Sequence, residues 1–126
     1  MIYNQLTRRH FDEPRSAGVL DGPRSFRGTA GSRSAGTWVQ FDLRLGPDST
    51  MIAEARFRTF GCPHVIAACD LTCEQAVGLS AAPQLPESLV SLRERLALPT
   101  EKLGRLLVIE DAWLATVRAA LASLQH

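Results

Sequence analysis

The sequence predicts one α+β domain over residues 1–126, a small antiparallel sheet with helices packed on one face. Three observations predict it. Two runs of alternating hydrophobicity flank a turn signal in the first half. Helical spacing then continues to the end of the chain, and a short helical segment precedes the sheet. A chain of this length fits one domain of ordinary size.

Tyr3, Leu6, Thr7, His10 and Phe11 recur at helical spacing and predict a short opening helix over 3–11, with Phe11 facing the core. Pro14 ends it by disfavouring helical geometry in the residue before it. Residues 16–36 are rich in Gly, Ser and Arg and read as loop, with one short edge strand near Ser25–Thr29. From Trp38 the period is two. Val39, Phe41, Leu43 and Leu45 point one way and Gln40, Asp42 and Arg44 the other, which predicts a half-buried strand. Gly46-Pro47-Asp48-Ser49 is a turn. A second run sets Met51, Ala53, Ala55, Phe57 and Thr59 against Ile52, Glu54, Arg56 and Arg58, so 37–60 is an antiparallel hairpin. Pro63 suits the first position of the next helix, whose stripe is Val65, Ile66, Cys69, Cys73, Ala76 and Val77, with Gly78 as its stop. A further helix over 87–96 is broken at Leu98-Pro99. The last helix carries Leu103, Leu106, Leu107, Trp113, Leu114, Val117, Leu121 and Leu124. Phe41 and Trp113 belong to the expected core.

Composition narrows the function classes. With 45% hydrophobic and 21% charged residues and a net charge of +1, the chain reads as globular, and nothing argues for nucleic acid as a partner. No apolar run reaches the roughly 20 residues needed to cross a bilayer. The opening Met1-Ile2-Tyr3-Asn4-Gln5 lacks the basic and apolar regions of a signal peptide, so a cytoplasmic location is expected. Three cysteines (Cys62, Cys69 and Cys73) crowd into one segment, which is not a disulfide framework and fits a reducing compartment. There is no Ser-His-Asp set, phosphate loop or paired carboxylate site, and Glu110 and Asp111 are adjacent on a helix and point apart. The expectation is a protein that is not an enzyme.

Four stretches resemble, in order, the iron–sulfur cluster assembly scaffold family of IscU and the N-terminal domain of NifU. They are His10-Phe11-Asp12-Glu13-Pro14-Arg15; Ala55-Arg56-Phe57-Arg58-Thr59-Phe60-Gly61-Cys62 with Ile66-Ala67-Ala68; Leu98-Pro99-Thr100-Glu101-Lys102; and Glu110-Asp111-Ala112. The second is specific, and the others count through their joint order. The resemblance implies a three-stranded antiparallel sheet with helices against it, nearly the architecture the patterns predict.

The resemblance also implies a cluster held by three cysteines and an aspartate; iron takes sulfur ligands, and a [2Fe–2S] cluster needs about four of them. Only the central cysteine is retained, as Cys62. Ala35 stands at the first cysteine position, Thr37 at the aspartate, and Arg105 at the last cysteine. A protein so altered is not expected to build clusters in the family's usual way. Cys62 is thus the one retained metal-ligand position and the candidate persulfide-accepting thiol, placed where a helix N-terminus favours a thiolate. The bland alternative is an inert cysteine. Cys69 and Cys73 share a helix face at metal-pair spacing but read better as buried fillers. Cys62 and His64 form a C-x-H pair whose side chains are expected to diverge, with His64 a capping-region residue; His10 reads as structural and His126 as uninformative. Leu98–Lys102 corresponds to the segment read by a dedicated chaperone, although a helix start with Thr100 as N-cap accounts for it better.

Three functions follow as expectations. The first is an accessory protein of cluster assembly that takes sulfur from a cysteine desulfurase on Cys62, much as SufE proteins do. The second is a non-catalytic pseudo-scaffold that docks to assembly partners. The third is a homodimer holding iron or zinc with altered ligands.

Overall fold

The computed structural model describes residues 3–124 and has the expected architecture; His126 lies outside the described residues. Helix α1 (Gln5–Asp12) precedes strands β1 (Ser25–Ser32), β2 (Thr37–Leu45) and β3 (Ile52–Phe60). Helices α2 (Pro63–Ala76), α3 (Leu89–Arg95) and α4 (Leu103–Ser123) follow. The sheet is antiparallel in the order β1-β2-β3. Helices α2 and α4 cover one face, and α1 packs on α2.

Local chemistry sets the boundaries. The Asn4 side chain accepts from the Thr7 N–H at 2.9 Å and caps α1, which leaves Tyr3 outside the helix. Strand β1 is longer than the predicted edge strand. Its sequence, Ser-Phe-Arg-Gly-Thr-Ala-Gly-Ser, has low strand propensity, and pairing along β2 holds it extended. Gly28 and Gly31 are needed there. A Cβ on Gly28 would lie 2.3 Å from the Thr116 backbone nitrogen of α4, and one on Gly31, at φ +80°, 2.2 Å from the Thr37 carbonyl oxygen.

The alternation in β2 is right, but the polar face is also covered. Gln40 and Asp42 are 3% and 1% exposed. Segment 16–20 crosses that side: Ser16 and Gly18 bond the Phe57 backbone, and the Leu20 N–H donates to Asp42 at 2.7 Å. Arg27 then clamps the same carboxylate at 2.8 and 2.9 Å, pairing the buried charge. In β3 the predicted faces change partway. A register shift at Arg44/Leu45 pairs Leu45 with Ile52, so Ile52 is buried with Ala55 and Phe57 while Met51 is 52% exposed. An extra residue in one strand has this effect, because side chains alternate strictly along a pleat.

Helix α2 is buried on nearly every side, Asp70 and Thr72 included, because α1 lies on it opposite the sheet. Val77, assigned to its stripe, is exposed beyond the helix end. The residue of α1 that faces α2 is His10, 1% exposed, while Phe11 is only part-buried; the predicted order is reversed. His10 Nδ1–H donates to Asp70 at 2.6 Å, and Asp70 also accepts from the Ser16 N–H at 2.8 Å. This polar tie fastens α1 to α2. Cys69 and Cys73 are fully buried, and burial pushes both thiols up.

Thr100 does not cap the last helix. Pro99 stands before a 3₁₀ turn, Thr100–Lys102, which runs into α4 with no side-chain cap. The buried seam of α4 runs through Leu106, Ile109, Ala112, Trp113, Thr116, Val117 and Ala120, leaving Leu107 and Leu124 exposed. Trp113 meets Phe41 edge to face at 5.2 Å, and its indole N–H donates to the Gln84 carbonyl at 3.0 Å. Among the described residues no helix is long and apolar enough to cross a membrane.

Candidate functional site

At the end of β3 the chain passes Gly61 and turns into α2, with Cys62 at the N-cap in extended conformation. Pro63 supplies no N–H and has its φ preset for a first helical turn. Cys62 is therefore held at a helix N-terminus, half-buried, while His64 and Val65 in the first turn are buried.

The 3₁₀ turn and the first turn of α4 bring two cations to this sulfur. Lys102 Nζ lies 3.8 Å from Cys62 Sγ, and the positive charge of Arg105 also favours the thiolate. Burial pushes the Cys62 thiol up, but the Val65 N–H, Arg105, Lys102 and the His64 N–H together outweigh it and hold the thiol below its ordinary value.

His64 does not behave as a solvated capping-region residue, nor does it turn away from the site. It is 2% exposed and lies edge to face with Tyr3 at 4.8 Å. Its Nδ1 is 3.2 Å from Lys102 Nζ, so Cys62 and His64 both face one ammonium group. Burial, then Lys102 and Arg105, hold the imidazole below its ordinary pKa. A neutral ring fits this geometry, with Nδ1 accepting from a lysine that has donors only. Sequence reasoning missed this group. Its signals were modest: Lys102 is the single lysine among 14 basic residues, and His64 falls two positions after the cysteine.

The three altered positions come together. Ala35 lies in the β1–β2 turn, Thr37 opens β2, and Arg105 lies in the first turn of α4; all three line one hollow of about 240 Å³. Ser32, Glu101 and Val108 complete much of its wall. As a ligand set for an iron–sulfur cluster this group does not fit. It offers one thiol, a methyl group, a hydroxyl and a guanidinium, where about four anionic or imidazole donors are required. Leu98 and Lys102, the ends of the segment matched to the chaperone motif, are buried at 4% and 9% exposure.

The charges give a direct expectation. The rate of Cys62 alkylation by iodoacetamide should reach half its plateau at a pH below the ordinary thiol range. The thiolate is favoured by Arg105, so Arg105→Gln should move that midpoint upward. A midpoint unmoved by the substitution would mean that the guanidinium does not act on the sulfur.

Residues 2–121 match the family model described as NifU-like N terminal domain. The iron–sulfur cluster assembly scaffold protein IscU of Rickettsia prowazekii is 32% identical over 124 residues, covering 97% of this chain and 91% of that protein. IscU of Haemophilus influenzae is 31% identical over 124 residues, covering 97% and 94%. The crystal structure of a nitrogen-fixing NifU-like protein (N-terminal) from Brucella abortus superposes with a TM-score of 0.72 at 14% identity, covering 94% of each chain, which shows a shared fold. With the model match running almost end to end, the chain belongs to the IscU/NifU-like family of iron–sulfur cluster assembly scaffolds.

Proposed function

We propose that this chain is an accessory member of the scaffold family that accepts sulfur as a persulfide on Cys62 rather than assembling a cluster, and that it is a carrier rather than an enzyme. The observation that supports the reading is the site's donor set. The single thiol is flanked by Lys102 and Arg105, and Arg105 occupies a place the family resemblance assigns to a ligand. Cations that repel a metal ion favour a thiolate and, after transfer, a persulfide anion.

The partner in this reading is a cysteine desulfurase. The Cys62 thiolate attacks the outer sulfur of the donor's enzyme-bound persulfide. A new S–S bond forms at Cys62, the donor's S–S bond breaks, and its thiolate leaves with the electron pair; no further oxidant is required. Incubation with a desulfurase and cysteine should add one sulfur atom by intact mass, and the adduct should be absent in Cys62→Ala. Wild type with no adduct would reject the carrier role.

A second reading, a pseudo-scaffold that docks without chemistry, draws on the intact fold around three altered ligand positions. It expects Cys62→Ala to bind assembly partners as wild type does and to preserve the cellular effect. The metal-holding homodimer is least favoured, since the Lys102 ammonium already engages the His64 imidazole.

A further inference from the structure

We infer that the hollow beside Cys62 is a binding site for a small zwitterionic thiol, an α-amino acid bearing a sulfhydryl group, which takes the sulfur off Cys62. This rests on the carrier reading and names the acceptor that the reading leaves open.

Size, charge and position argue for it. At about 240 Å³ the hollow falls below the roughly 300 Å³ at which pockets for drug-sized ligands begin, so it suits an occupant of few heavy atoms. Its wall carries one cation, Arg105, and one anion, Glu101, four residues apart. No ion pair between the two is present among the described residues. A guanidinium fork matches a carboxylate, and a carboxylate oxygen matches an ammonium group, so the wall complements a zwitterion better than a simple anion or cation. The hydroxyl-bearing Thr37 and Ser32 and the apolar Ala35 and Val108 line the rest. Glu101 and Arg105 line the hollow, and Lys102, which lies between them in sequence, has its ammonium 3.8 Å from the Cys62 sulfur, so the thiol stands next to the site.

The transfer balances. The acceptor thiolate attacks the outer sulfur of the Cys62 persulfide. One S–S bond forms on the acceptor as the Cys62 S–S bond breaks, and Cys62 leaves as a thiolate. The acceptor departs as a persulfide, and the pair undergoes no net redox change.

The test uses the full chain loaded at Cys62 with inorganic polysulfide, so no desulfurase is needed. Loss of the added sulfur is followed by intact mass with cysteine, 3-mercaptopropionate, cysteamine and 2-mercaptoethanol at equal thiolate concentration. Cysteine should be the fastest, with saturating kinetics, and should return the protein to its unmodified mass. Each missing charge should cost roughly tenfold, the scale of one charge-assisted hydrogen bond. Arg105→Gln should erase the advantage of the carboxylate and Glu101→Gln that of the ammonium. Equal, non-saturating rates for all four thiols would overturn the inference. The same series on Cys62 capped with 5-thio-2-nitrobenzoate, read by the coloured thiolate released, judges the hollow even if Cys62 accepts no sulfur. A selective hollow with no desulfurase adduct would sink the carrier reading alone, and an adduct with no selectivity would sink the hollow alone.

Discussion

Trp113→Ala is expected to lower the unfolding free energy by roughly 3–5 kcal/mol, the cost of truncating a fully buried large aromatic. The indole is 1% exposed and seated against Phe41, itself 0% exposed, where α4 crosses the middle strand. Truncation removes the edge-to-face contact, leaves a cavity between helix and sheet, and frees the Gln84 carbonyl from its donor. Urea denaturation followed by far-ultraviolet circular dichroism measures the loss without depending on Trp113 emission. Phe41→Ala should cost a similar amount. Because the rings touch, the double variant should fall short of the sum by about 0.5–3 kcal/mol. A loss below about 1 kcal/mol in either single variant would place that ring outside the core.

Gly28→Ala should destabilise the protein by roughly 3 kcal/mol, the upper end for overpacking. The added methyl would lie 2.3 Å from the Thr116 nitrogen and 2.8 Å from the Ala115 carbonyl carbon, both backbone atoms that cannot rotate aside. Helix α4 would have to lift from β1 or the strand would have to bow. Gly104→Ala is the matched control. A Cβ there meets nothing within 4 Å, and helix propensity gives a gain of up to about 1 kcal/mol. Equal stability of the two variants would show that α4 does not sit against β1 as described.

The features legible in the sequence are those set by neighbours along the chain. The β2 alternation, the turn at 46–49 and Pro63 at a helix start all act within a few residues, and each was read correctly. What escaped was decided across the chain. Nothing local marks β1 as reaching Ser32, because its extension depends on β2 beside it and α4 above it. The exchange of Met51 for Ile52 follows from one extra residue in the ladder, invisible to a count of alternation. Asp42 looked solvent-facing because segment 16–20 shows no hydrophobic pattern that would announce it as a cover. At the site, Cys62 was legible through the motif around it. The Lys102–His64 contact joins residues 38 apart in sequence, and only the fold brings them together.

The burial of Cys69 and Cys73 has a practical consequence. With two thiols sealed in the core and one at the surface, the native protein offers a thiol reagent a single handle, and the denatured chain offers three. The difference is a clock. Under native conditions a large excess of reagent labels Cys62 at once, whereas the second and third labels arrive only as often as α2 opens. Their rate, followed by mass over hours, reports the opening of α2 in the protein labelled at Cys62, with no denaturant added.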